Sequence, residues 1–578
     1  MCISECDYQL SLLEDSDSND HHIQTTEETA QCSSHAGPSG IDKDSENKGH
    51  SSTQMSDALS KRARKELLTP RLAAALDKCK ISDRDSVHIL TACLDALNVN
   101  LREYIINRTS IKRGREKFRK QVALGIKYNF NDLQLNYVVI HWDSKMLPDF
   151  TGKETVDRLP VIATGFKVEQ LLGVPELTSG TGLEISSAVY DTLQEWSIQD
   201  TVQAFVFDTT ASNTGRLNGA CYLLEQKLNR DIMFLACRHH IYEIVLHGVF
   251  NKIQLTPNKG PDIPLFKRFQ KQWKLLNQTQ YLPWDSDAIV LKILKDDADR
   301  IIQYVQNKIK EAQPRHDYLE FLELVLIFLG QAPSTEILFR QPGAYHLARW
   351  MGKAIYSLKI YMFRQQFQLT PIEEKALRRI CCFTVKCYVQ AWFSTTNAVE
   401  APMNDINFLK TLFEYKTHDT DIAEEAIHKM INHLWYLSEE CAAFSIYDDR
   451  IDNHMRRKMA KILLKEHIEV DEKINKRVIK KEELEYFLKE SLPLNLLTLK
   501  SSKIFERFHL SKEFLHADPA NWKDQESYRN GKKVIASLMV VNDTAERGVK
   551  LMEEFNNTFT KNEEQQQYIL QVTITYIS

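Results

Sequence analysis

The stretch between residues 132 and 254 most limits the folds open to this chain. Short β-branched and aromatic runs there give way repeatedly to longer runs with apolar residues at three-four spacing. LQLNYVVIHWDSK predicts a first strand ending at Asp143. RLPVIATGF and KVEQLLGVPEL predict a second and a third, joined by short connections. ISSAVYDTLQEWSI reads as a helix and QAFVFD as a fourth strand. GRLNGACYLLEQKLN is a second helix ending in the turn NRD, IMFLAC a fifth strand, and RHHIYEIVLHGVFNKI a third helix. Three hairpin-linked strands followed by alternating helix and strand suit a mixed sheet with helices on its faces.

The β-β-β-α-β-α-β-α order is that of the ribonuclease-H-like fold. In that fold the first and fourth strands are neighbours, so Asp143 and Asp208, 65 residues apart, would meet at one sheet edge. Ligands of open α/β sheets bind at such an edge. Two carboxylates a few ångströms apart repel unless a cation joins them, and Mg²⁺ or Mn²⁺ suits that role. A turn or helix-cap acid is the bland alternative for either aspartate. The small residues after Asp208, Asn213 and Gly215 among them, would shape the turn that presents it.

The 578 residues suggest roughly two to four domains. Residues 1–60 hold twelve acids, twelve serines and two lysines, the composition of a disordered, solvating tail. Residues 61–125 read as a basic helical segment for DNA binding or dimerisation. Its run IKRGREKFRK offers Lys112, Arg113, Arg115, Lys117, Arg119 and Lys120 to phosphates, or forms a solvated charged helix face. Residues 126–254 would be the first part of the core. Residues 255–535 are predominantly amphipathic helical patterns, an all-α insertion domain, and 536–578 would close the core. The net charge of −4 excludes a uniformly basic nucleic-acid binder. No run of eighteen apolar residues predicts a membrane span, and the chain opens without a secretory apolar segment. Eleven scattered cysteines point to reduced thiols inside the cell, and KRARK at 61–65 to nuclear import.

Strand-end Asp143, strand-end Asp208, a Cys-x-x-His at Cys237–His240, a helical stretch with Arg349-Trp350, and the late phrase NDTAERGVKLMEEF form an ordered set. That set resembles the cut-and-paste DNA transposases of the hAT type, over roughly residues 126–578. The resemblance implies a metal site of Asp143, Asp208 and Glu546, with Arg547 beside it, and Mg²⁺-dependent cleavage and strand transfer of double-stranded DNA by a homo-oligomer. It also implies that Trp350 stacks on a base flipped from the duplex while Arg349 holds a phosphate. Glu400 and Glu440 are rival third acids. Cys237 and His240 have zinc-ligand types at a ligand spacing, but no partner pair is visible. A buried Cys237 and an acid-orienting His240 are the preferred expectation, with His239 a bystander and Cys381-Cys382 core. The family's N-terminal zinc finger is missing, since Cys2, Cys6, Cys32, His21 and His22 lack finger spacing. That gap, with the short stretch after Glu546, suggests a truncated or host-adapted descendant. The alternative function is therefore a DNA- or protein-binding module without catalysis. A third reading, a helical interaction protein with coincidental acids, predicts no strand-rich core near 132–237.

Overall fold

Five of the apolar runs form strands of one sheet: β1 (Val138–Trp142), β2 (Val161–Gly165), β3 (Val168–Gly173), β4 (Val202–Phe207) and β5 (Met233–Ala236). The computed structural model of the protein describes residues 64–79, 81–148, 155–253, 262–333, 339–343, 350–465, 476–478 and 493–544, with positions 482, 484 and 488. The acidic tail, Arg349, Glu546 and Arg547 lie outside the described residues.

The sheet order is β5-β4-β1-β2-β3. β1 and β4 pair in parallel, as do β4 and β5, while β2 runs antiparallel to both β1 and β3. β4 shows why the centre holds: Phe205, Val206 and Phe207 are wholly buried, each contributing roughly 1.5–3 kcal/mol relative to exposure. The strand-free third reading is thereby excluded. Sequence patterning missed a second, three-stranded antiparallel sheet, Lys145–Pro148, Thr155–Arg158 and Glu176–Leu177. Its short, charged strands carry no alternation to betray them.

Three helices belong to this sheet region. α1 (Gly182–Trp196) starts at Thr181, whose hydroxyl accepts from the Glu184 N–H, and ends where Ser197 turns left-handed at φ 57°. α2 (Ala220–Leu228) follows the loop after β4. α3 (Arg238–Lys252) is buried on most sides, including Arg238, His239 and Glu243, as a helix inside a larger core must be.

The remainder is predominantly helical; from Phe130 to Val540 its apolar side chains join those of the sheet in one cluster, while Leu76, Leu90 and Ile111 form a separate one. Two parts of it frame the edge of the sheet. Residues 435–441 cover β5: Trp435 meets Phe207 and Phe234, and the Tyr436 hydroxyl donates to the Ala236 carbonyl at 2.8 Å. Arg507 reaches back to the same strand's approach, bonding the Asp231 carboxylate and carbonyl, both at 2.8 Å, and Glu440 at 2.5 Å. Among the described residues, no helix is long and apolar enough to cross a membrane.

The basic segment is led by a helix, Arg108–Asp132, capped by a reciprocal Asn107–Ser110 pair. The expectation that Arg115 meets DNA is corrected here. Its guanidinium is buried against Asp83 at 2.7 Å, the Ile81 carbonyl at 3.0 Å and Ser86 at 3.1 Å. Moving it to a phosphate would leave the part-buried Asp83 carboxylate without this partner and empty the buried guanidinium site. Lys112, Arg113, Lys117 and Lys120 are exposed, with Lys112 3.9 Å from Glu116.

Arg507→Ala leaves Glu440 buried and unpaired, so urea unfolding is expected to show a loss of about 3–5 kcal/mol. The apolar double variant Arg507→Met/Glu440→Leu is expected to recover most of it.

Candidate functional site

Parallel pairing of β1 with β4 brings their carboxyl ends together, and each strand is followed directly by an aspartate, Asp143 or Asp208. Both acids line one cavity of about 620 Å³, a size suited to a ligand cleft. Asp543 and Glu311 line it too. Lys145, Lys308 and Arg315 supply cations, and Tyr318, Trp350, Trp392 and His239 an aromatic wall.

The two strand ends are held by a closed ring of hydrogen bonds through Trp142 and Asp208. The Trp142 indole N–H donates to Asn213 Oδ1 at 2.9 Å, and Asn213 Nδ2 donates to the Asp208 carbonyl at 2.9 Å. On the other side, Asn542 Nδ2 donates to the Trp142 carbonyl at 2.9 Å and to Asp208 Oδ1 at 3.2 Å. The two strand ends are thus clasped from both sides by carboxamides. Asn213 shapes the turn as its sequence position suggested. Gly215 is needed there because a Cβ would stand 2.7 Å from the Ala211 carbonyl.

The Cys-x-x-His turn completes the frame. The Cys237 N–H donates to the Phe207 carbonyl at 2.8 Å. The buried Cys237 sulfur accepts the Asn542 N–H at 3.1 Å. Burial, reinforced by the Asp208 and Asp143 charges, pushes this thiol well up, so it stays protonated. His240 Nδ1 stands 3.1 Å from Asp208 Oδ2, without the alignment of a hydrogen bond, and becomes its ion-pair partner when protonated. Arg238 between them is buried at 2.8 Å from Asp405, and its backbone N–H donates to the Val540 carbonyl at 2.9 Å.

His239, expected to be a bystander, is buried and lines the cleft. Its Nδ1 lies 3.2 Å from the Tyr318 hydroxyl and its Nε2 2.7 Å from Thr395 Oγ1, and its ring stacks on Trp392 at 4.0 Å. Burial lowers its pKa to about 3, so the ring is neutral. Trp350 is half-buried on the same wall, T-shaped against His239 at 5.8 Å and Trp392 at 6.1 Å. It is followed by a buried anchor: Glu243 accepts the Met351 N–H at 2.5 Å and the Tyr388 hydroxyl at 2.9 Å.

The rival third acids stand elsewhere. Glu440 is committed to Arg507, and Glu400 accepts from Asn397 Nδ2 at 3.1 Å without lining the cavity. Cys381 and Cys382 are buried, as expected of core residues. Among the described residues, no three His, Cys, Asp or Glu side chains are grouped to hold a metal ion. Two aspartates lining one cleft nevertheless suit a hard divalent cation, which takes one or two carboxylates and completes its shell with water and phosphate oxygens. Sequence reasoning missed Asn542, Asp543, Tyr318, Trp392 and Thr395. The first two stood inside the quoted phrase NDTAER, where only the glutamate drew notice; the other three have no local signature. Compared with known proteins, the chain matches no family model and no curated sequence.

Between pH 6.5 and about 3 the unfolded chain protonates at His239 while the folded chain does not, so stability falls as pH drops through that window. His433, lowered to about 4 chiefly by burial, acts in the same direction. In His239→Phe, the urea midpoint measured against pH is expected to fall less steeply across this window than in the wild type. Its value at pH 7 is expected to be lower, because Tyr318 and Thr395 lose their partner.

Proposed function

We propose that the protein is a metal-dependent DNA strand-cleaving and strand-transferring enzyme of the hAT transposase type, built on a ribonuclease-H-like core. The observation that carries this reading is the opening of Asp143 and Asp208, from adjoining parallel strand ends, into one cleft. The strand order, with the first strand between the antiparallel second and the parallel fourth, supports the fold assignment. The third acid in this reading is Glu546, two residues beyond Thr544 in sequence, and Thr544 bonds the same Asn542 that contacts Asp208. Asp543 supplies a further carboxylate to the cleft.

Asp143 and Asp208 would hold Mg²⁺ or Mn²⁺. When bound, such ions activate an attacking hydroxyl and stabilise the leaving oxygen of a phosphodiester. The chain's own part is positioning. Asn542 donates to one Asp208 oxygen, and His240 stands beside the other. The exposed part of the half-buried Trp350 offers an aromatic surface to an unstacked base. Lys145, Lys308 and Arg315 line the cleft where phosphates would pass. Lys112, Arg113, Lys117 and Lys120 remain as exposed contacts for the duplex backbone. Nuclear localisation and assembly from several copies belong to the same reading.

Asp208→Asn is expected to lower Mg²⁺-dependent nicking of a DNA duplex about 10³-fold, since loss of metal-borne charge stabilisation costs several kcal/mol. Its thermal melt should stay near that of the wild type. Trp350→Ala should impair steps that need a flipped base more than simple nicking, read by separating nicked from joined products on denaturing gels. Equal cleavage by wild type and Asp208→Asn would sink the proposal. DNA binding by the wild type with no cleavage and no Mn²⁺ binding would favour the non-catalytic module.

A further inference from the structure

Asn542 has more partners at the acid site than a loop residue needs. It is 2 % exposed, and Thr544 beside it is wholly buried. Its backbone N–H is held by Cys237 Sγ at 3.1 Å. Its side-chain Nδ2 serves the Trp142 carbonyl and Asp208 Oδ1, while its Oδ1 accepts the Thr544 hydroxyl. Every polar atom of the amide group is thereby used. The orientation is also determined. Turned over, the amide would set Oδ1 against two acceptors, the Trp142 carbonyl and the Asp208 carboxylate, with no donor between them.

We infer that Asn542 is a positioning residue that aims Asp208 toward the cleft and makes that aim depend on docking of the chain's late segment. This rests on the metal-site reading above. The argument is one of degrees of freedom. An aspartate at a strand end can turn about its side-chain bonds, and only the groups that meet its oxygens select one setting. Here the two oxygens meet His240 and Asn542. His240 comes from the Cys-x-x-His turn. Asn542 comes from the far end of the described chain and is seated by the Arg238 N–H on Val540 and by Cys237. The cysteine of the Cys-x-x-His pair therefore seats the returning segment, while its histidine meets the acid directly. Outer partners of metal-binding carboxylates commonly change metal affinity by 10–100-fold. Asn542 thus acts through Asp208, without needing to touch substrate.

The test is Mn²⁺ binding to the full chain in the absence of DNA, by titration calorimetry and by the paramagnetic signal of free Mn²⁺, alongside thermal melts. Asn542→Ala is expected to weaken Mn²⁺ about tenfold. Thr544→Val keeps the carboxamide but removes the donor that steadies its Oδ1, and is expected to weaken binding by roughly threefold, less than the 10–100-fold of losing an outer partner outright. If Asn542→Ala does not fold, Thr544→Val carries the test alone. A lowered melting temperature with Mn²⁺ affinity within twofold of wild type in the folded variants would overturn the inference and leave a purely structural latch. Absence of Mn²⁺ binding in the wild type would overturn the inference together with the metal-site reading. Binding in the wild type that survives in both variants would overturn the positioning role alone.

Discussion

The parallel pairing of β1 with β4 is the constraint on which the rest of the molecule depends. It sets two strands side by side in the same sense, so the residues that follow them, Asp143 and Asp208, leave the sheet at one edge. The strands behind them are held by a backbone ladder and a wholly buried row of Phe205, Val206 and Phe207. Close packing of the interior thus fixes where the two carboxylates leave the sheet.

A few buried charge pairs accompany the apolar packing that joins the helical portion to the sheet. Arg238 with Asp405, Arg507 with Glu440, and Lys353 with Glu243 each join segments distant in sequence. Burial pushes the Glu243 carboxyl up and the Lys353 amine down, and their mutual attraction opposes both shifts. Such pairs add little net stability over apolar packing, yet breaking one is costly. Their positions suggest a role in register: Arg238 lies inside the Cys-x-x-His turn, and Glu243 bonds the backbone immediately after Trp350. Two of these pairs, through Arg238 and Glu243, therefore adjoin segments that line the cleft.

The aromatic wall follows a complementary logic. His239 is kept neutral by burial and accepts a place among tryptophans because both ring nitrogens find hydroxyl partners, Tyr318 and Thr395. A charged imidazole there would meet the desolvation penalty of a dry interior. The cleft's lining thus combines acids with a largely uncharged aromatic surface, and Lys145, Lys308 and Arg315 also belong to it.

Local pattern carried the five strands of the main sheet, the three helices of the sheet region, and the two aspartates at strand ends, because each is a matter of short-range period and of the residue that stops it. It also pointed to Cys237, His240 and Asn213, which stand within a turn of the elements they serve. It could not reveal that Arg115 is buried, since a basic residue on a helix is solvated or paired according to what packs opposite, here Asp83. Nor could it separate Glu440 from a candidate ligand, because Arg507 meets it only through the fold. Asn542 is the clearest case. An asparagine in a loop has no signature of its own, and its partners Trp142, Asp208 and Cys237 lie hundreds of residues away. Sequence by itself determined which chemistry each strand end carries, through local residue choice. Tertiary structure alone decided which polar groups hold those ends in place, because hydrogen bonds and buried charges are satisfied by proximity in space.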